Sequence, residues 1–228
     1  MPKKTKAVKQ SDIKGRKPWL RKQGLTIIDT PKINPQKTFL IVCEGQTEEF
    51  YFKSFPSTSI TVKCYNLGCT NFQIVDCTID LKKEAPYDQV WVVFDMDFTA
   101  EKGKKQFEQF DNAIKKAISH GIRVAYSNDC FELWFYLHYQ YTDQKNLRSF
   151  YYSELSRYWG INYEKEGKVR AFSKKIYNLL QSDEKASIED ALSRSKQLHE
   201  NLQSDPYHKQ NPVTTVYQLY LELSGVNT

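Results

Sequence analysis

FLIVCEGQTE, residues 39–48, decides the fold: five apolar residues, then Glu44, Gly45 and the acidic start of an amphipathic run. So short an apolar run, bounded by a glycine, reads as a strand buried on both faces, and Gly45 permits the sharp turn from that strand into a helix. A second run of the same kind, VWVVF at 90–94, ends on Asp95-Met96-Asp97. Acidic groups thus stand at the carboxyl ends of two buried strands, where an open parallel sheet carries its ligand site. Hard cations such as Mg²⁺ take carboxylate oxygens. Metal-assisted phosphate chemistry is the first inference.

Working outward, short apolar runs alternate with amphipathic stretches, the pattern of βα units. Strands are expected at 38–43, 60–65, 89–94 and 122–126. Thr47 is placed to cap a helix carrying Phe50, Tyr51 and Phe55, with Glu48 and Glu49 in its first turn, where the dipole favours negative charge. Phe72, Val75 and Ile79 mark a second helix, and Phe107, Phe110, Ile114, Ala117 and Ile118 a third, closed by Gly121. After Ser127 the segments 130–139, 147–158, 168–181, 187–203 and 212–223 all suit helices, and no further strand is expected. Pro206 and Pro212 bracket a polar turn before the last of them. The expectation is an α/β fold: a mostly parallel four-stranded sheet flanked by helices over 38–140, with a helical C-terminal layer or subdomain over 141–228.

At 228 residues, 40% hydrophobic and 26% charged, the chain has the composition of a globular protein. No apolar stretch approaches the roughly 20 residues that span a bilayer, and the lysine-rich start lacks the apolar segment of a signal peptide, so a cytoplasmic address is expected. The net charge of +6 is uneven: residues 1–37 hold eleven Lys/Arg against Asp12 and Asp29, a net +9, leaving the remainder at −3. Pro18, Pro31 and Pro35 suggest that this basic arm is extended. Lys14, Arg16, Lys17, Arg21 and Lys22 are its candidate phosphate contacts, with a solvated, solubilising tail as the alternative. The cysteines at 43, 64, 69, 77 and 130 form no CxxC pair, so reduced thiols are expected in place of a disulfide framework or a zinc site.

Glu44 and Glu48 lie one helical turn apart, and Asp95 and Asp97 flank a single residue, so the four carboxylates can face one ion. Such a cluster repels itself unless a cation neutralises it. The competing view is that Asp95 and Asp97 cap the next helix while Glu44 is exposed in a loop. Glu132 lies one turn into the very apolar segment CFELWFYLH, where it either reaches the metal site or pairs with a basic side chain. His138, six residues on, cannot share a helix face with it and reads as a core or rim histidine.

LIVCEGQTEEFYF at 40–52, VVFDMD at 92–97, SNDCFELWFYLH at 127–138 and NPVTTVYQL at 211–219, in this order and spacing, resemble the RloB-like proteins. The resemblance runs from about Arg16 to the C-terminus and departs at Asp129, where the family more often has proline. It implies a fold of the TOPRIM type, named for topoisomerases and primases, and a place in restriction and phage-defence loci. Carried over residue by residue, it makes Glu44 a metal ligand or the proton-transfer group and makes Asp95 and Asp97 ligands of Mg²⁺ or Mn²⁺. Glu48 and Glu132 become further ligands, and the reaction becomes hydrolysis of a phosphodiester by water. An ATPase encoded nearby is the implied partner protein and nucleic acid, RNA or DNA, the implied substrate. The string leaves open whether the chain forms a homo-oligomer. Two rivals remain. Phe94-Asp95-Met96-Asp97-Phe98-Thr99 fits the signature of haloacid-dehalogenase-like phosphatases, with Ser127 as a second motif, although that reading leaves Glu44 to Glu48 unexplained. A non-catalytic nucleic-acid-binding subunit would use the basic arm and the fifteen tyrosines for charge and stacking.

Overall fold

A computed structural model describes residues 37–56, 60–64, 71–99 and 103–225. The basic arm, with Lys14, Arg16, Lys17, Arg21 and Lys22, and Cys69 lie outside the described residues. Four parallel strands, β1 (Phe39–Cys43), β2 (Ile60–Cys64), β3 (Gln89–Asp95) and β4 (Arg123–Asn128), carry a short fifth, β5 (Val213–Thr214), antiparallel on the edge, in the order β2-β1-β3-β4-β5. The expected four-strand sheet is therefore one strand short. Val213-Thr214-Thr215-Val216 is a β-branched run, stiff at χ1 and better suited to a pleat than to a helix. Its first two residues pair with Asn128 and Ser127 before the last helix begins. The C-terminal part thus contributes to the sheet itself, and residues 36–228 form one unit.

The helices α1 (Gln46–Lys53), α2 (Asn71–Leu81) and α3 (Lys105–Ser119) connect the parallel strands. β1 hands over to β2 in one direction, and the next two connections step the other way. The right-handed crossover rule therefore puts α1 on one face and α2 with α3 on the other. Packing agrees. Phe110 of α3 meets Phe94 and Tyr126 edge-on, while Tyr51 of α1 and Phe55 just beyond its end enter an aromatic cluster with Phe131, Phe135, Tyr177 and Tyr220. Strand β1 is fully buried, Leu40 to Cys43 at 0% exposure, as its continuous apolar run requires.

Beyond β4 come α4 (Glu132–Leu137), α5 (Arg148–Trp159), α6 (Arg170–Ser173), α7 (Ile176–Ser182), α8 (Ile188–Leu202) and α9 (Val216–Ser224). The single helix expected over 168–181 is two short ones. A π-turn at Tyr163–Gly167, not foreseen, precedes them. Thr47 is not the cap of α1: Gly45 holds that position in extended geometry, and Thr47 is buried inside the first turn.

Candidate acidic site

The strand order reverses between β1 and β3, and there the carboxyl ends of two strands open a crevice. Glu44 leaves the end of β1 and Asp95 ends β3. The Glu44 N–H donates to the Val93 carbonyl (3.0 Å), and the Asp95 N–H points at Glu44 Oε2 (3.4 Å). One turn into α1, Glu48 folds its carboxylate back over Gly45. A Cβ on that glycine would lie 2.3 Å from Glu48 Oε2, so a side chain here would displace that carboxylate from its present place.

Asp95 is the centre of the cluster. Its Oδ2 accepts from the Phe131 N–H at the head of α4 (2.8 Å), while its Oδ1 is buried with no hydrogen-bond partner. Burial, then the charges of Glu48, Glu132, Asp97 and Glu44 in that order, hold its carboxyl well above the usual range. Glu48 is pushed up to about 8 by burial and by Glu132 and Glu44, against its own backbone hydrogen bond and Lys168, which favour the charged form. The five carboxylates named from sequence are thus brought into one electrostatic neighbourhood. Contact is another matter: among the described residues no group of three or more His, Cys, Asp or Glu side chains is arranged to hold a metal ion.

Two cations explain the difference. Arg148, in the first turn of α5, pairs with Asp97 (Nη1 to Oδ1, 2.5 Å) and with Asp129 (Nε to Oδ2, 3.4 Å), and its Nη2 is buried without a partner. Asp97 itself has φ 51°, the left-handed region that costs a residue with a Cβ about 1–2 kcal/mol and that Asp tolerates better than most. Asp129 accepts from the Phe98 N–H (3.2 Å), and its peptide to Asn128 is cis. Glu132 both reaches the cluster and pairs: its Oε1 accepts from Tyr163 Oη (3.0 Å) and faces Lys168 Nζ (3.5 Å), which also donates to Tyr152 Oη (2.5 Å). Lys168 is held charged by Glu132 and Tyr152 despite partial desolvation. The π-turn places these groups. Gly167 lies against Tyr163, where a Cβ would come within 2.0 Å of the ring.

Arg148, Lys168 and Tyr163 were not singled out in the sequence. Glu164-Lys165-Glu166-Gly167-Lys168 looks like a solvated, charge-mixed loop, and only the buried neighbour Tyr163 hints otherwise. His138 is the core histidine expected: it is 1% exposed, its Nδ1 donates to the Trp134 carbonyl (2.9 Å), and burial brings its pKa down to about 4. Ser127, offered for the phosphatase reading, is 1% exposed and shares a 3.0 Å hydrogen bond with Thr214 of β5.

The residues fit a hard divalent ion on two observations. The donor set is all carboxylate oxygen, and Asp95 Oδ1 is a buried acceptor with no donor. Ligation by Asp97 and Glu132 requires each to turn from its present partner. The cleft beside the cluster, about 490 Å³, is walled by Met96, Phe98 and Asp129 of these same loops. A larger cavity of about 890 Å³ lies elsewhere, between α3, α8 and α9; neither it nor the cleft is lined by any of the five carboxylates themselves. No curated protein and no solved structure matches the chain. The model of one protein family does, RloB-like protein, over residues 39–223.

Proposed function

Since the chain belongs to the RloB-like protein family, we propose that it is a metal-dependent nuclease of the TOPRIM type, an antiphage effector that hydrolyses phosphodiester bonds of RNA, tRNA in particular, in preference to DNA. The observation that carries the reading is Asp95: a buried carboxylate with one orphaned oxygen, ringed by Glu44, Glu48, Asp97 and Glu132 at the sheet's switch point. Glu44, Glu48, Asp95, Asp97 and Glu132 would hold Mg²⁺ or Mn²⁺. When bound, the ion supplies Lewis-acid stabilisation of the phosphoryl oxygens and a more acidic water. The chain's own residues do the rest. Glu44, at the tip of β1 with its Oε2 facing the Asp95 N–H, is the proton-transfer group or a further ligand. Arg148 and Lys168 stand on the rim of the cluster, where their charge meets the phosphate backbone as well as the carboxylates they now hold. Asp95, pinned through Oδ2 by the Phe131 N–H, keeps Oδ1 free of any protein donor.

The test is cleavage of plasmid DNA, single-stranded DNA and total tRNA, with Mg²⁺, Mn²⁺ or EDTA, by the parent chain and by Asp95→Ala/Asp97→Ala. The expected result is metal-dependent cutting of tRNA that the double variant loses. No cutting by the parent, even with an ATPase encoded nearby supplied, favours the non-catalytic binding subunit.

A further inference from the structure

The cleft beside the acidic cluster has a chemistry of its own. Phe98, directly after the left-handed Asp97, is one of the few large apolar side chains exposed among the described residues, at 39%. Its ring is stacked on Phe107, 5.4 Å between centroids and 5° from parallel, and Phe107 in turn meets the His208 ring at 5.1 Å and 30°. The ladder is braced at both ends. Asp111 accepts from the His208 backbone N–H and from its Nδ1, both at 2.8 Å, and Asp129 accepts from the Phe98 N–H. Such bracing is more than an incidental surface phenylalanine needs.

The rest of the lining is polar in a particular way. Asn211 Oδ1 is a buried acceptor with no partner, and the wall it belongs to also carries Asn128 and Asn146. Lys145 and Lys209 are exposed at the rim. An aromatic platform, an unsatisfied amide acceptor and two rim cations correspond to the three parts of a nucleotide: a π-face, a base edge with N–H donors, and a phosphate. The volume, about 490 Å³, lies in the range of small-ligand pockets and admits one nucleotide but not a stacked duplex. Met96, between the two candidate ligands Asp95 and Asp97, forms part of the same wall, so a base seated here leaves its phosphate beside the acidic cluster.

We propose that this cleft seats one unstacked base of the nucleic-acid substrate, on Phe98, next to the phosphodiester that is cut. The inference rests on reading the acidic cluster as a nuclease site and adds that the strand is single or splayed where it is cleaved. A base held this way loses its neighbours' stacking and gains Phe98 and the amide-lined wall in exchange.

The experiment uses the full chain carrying Asp95→Asn, to stop cleavage, and short single-stranded RNAs with 2-aminopurine placed at each position in turn. Quenching at one or two adjacent positions only is expected. Phe98→Ala should abolish that quenching and weaken binding about tenfold, the scale of losing one base–aromatic stack, with an unchanged melting temperature showing that the chain still folds. Phe98→Trp should restore both. Uniform quenching, no quenching, or a Phe98→Ala protein that behaves as its parent overturns the seat, as does equally tight competition by free AMP or GMP. The two readings fail separately. Position-specific quenching by a wild-type chain that cuts nothing keeps the seat and removes the nuclease. Cutting that Phe98→Ala leaves unchanged in rate and site keeps the nuclease and removes the seat.

Discussion

The two ends of the central sheet treat the same chemical group in opposite ways. At the amino end Glu222 of α9 is surrounded by donors: Lys37 (3.1 Å), Arg123 (2.6 Å) and Gln89 Nε2 (2.6 Å). Partial burial works against its charge, but these three hydrogen bonds bring its pKa down to about 2. At the carboxyl end Asp95 and Glu48 are buried among their own kind and held up, Glu48 to about 8. The amino end is electrostatically closed, its charges paired across β3, β4 and α9. The carboxyl end is left with an unmet demand for positive charge, a demand that costs stability.

The largest effect that tests this contrast is on activity. Asp95→Asn should lower cleavage by roughly three orders of magnitude or more, as expected for a group acting on the reacting centre, while leaving the melting temperature equal or higher. Glu222→Gln should do the reverse, with cleavage within about twofold and a lower melting temperature. A stability loss in Asp95→Asn without an activity loss would make the two ends equivalent and sink the comparison.

The next effect is pH dependence in the presence of EDTA. A carboxyl whose folded pKa is raised takes up more protons folded than unfolded, so its contribution is complete below the unfolded value and is lost as pH rises through the folded one. For Glu48 the window runs from about 4.5 to about 8. The melting temperature should therefore fall across that window, and Glu48→Gln should flatten the fall; calorimetric scans of both proteins decide it. Divalent ions give a smaller effect in the same window. Mn²⁺ should raise the melting temperature at pH 8 and do little at pH 5, where protons already neutralise the cluster. Equal shifts at both pH values would place the ion elsewhere.

Smallest is the mirror image at the amino end. Glu222 has a depressed pKa, so its contribution is present above about 4.5 and lost as pH falls toward about 2. Glu222→Gln should remove that acid sensitivity and cost about 1 kcal/mol at neutral pH, a few degrees of melting temperature, because the ion pairs are partly exposed.

The amino-acid string carried the sheet and its carboxylates because both are written locally. FLIVC and VWVVF are continuous apolar runs, and Glu44, Asp95 and Asp97 follow them directly. What it hid was written across long separations. Arg148 meets Asp97 from α5, 51 positions on, and Lys168 meets Glu132 from beyond a π-turn with no sequence period of its own. β5, two residues long, is below the length at which alternation can be recognised, and its pairing with Ser127 and Asn128 is a tertiary fact. Glu132 was legible only as a dilemma, and the fold resolves it both ways at once, near the cluster and paired with a lysine.

Gly167 carries a last consequence, for heredity rather than for energy. Every single-nucleotide missense change in a glycine codon installs a residue with a Cβ, and at this position that carbon would come within 2.0 Å of the ring of a wholly buried tyrosine that in turn holds Glu132. The codon thus has no mild missense neighbours. In a saturation-mutagenesis screen scored by protein abundance, position 167 should be among the sharpest dropouts of the C-terminal half, although it is not one of the five carboxylates.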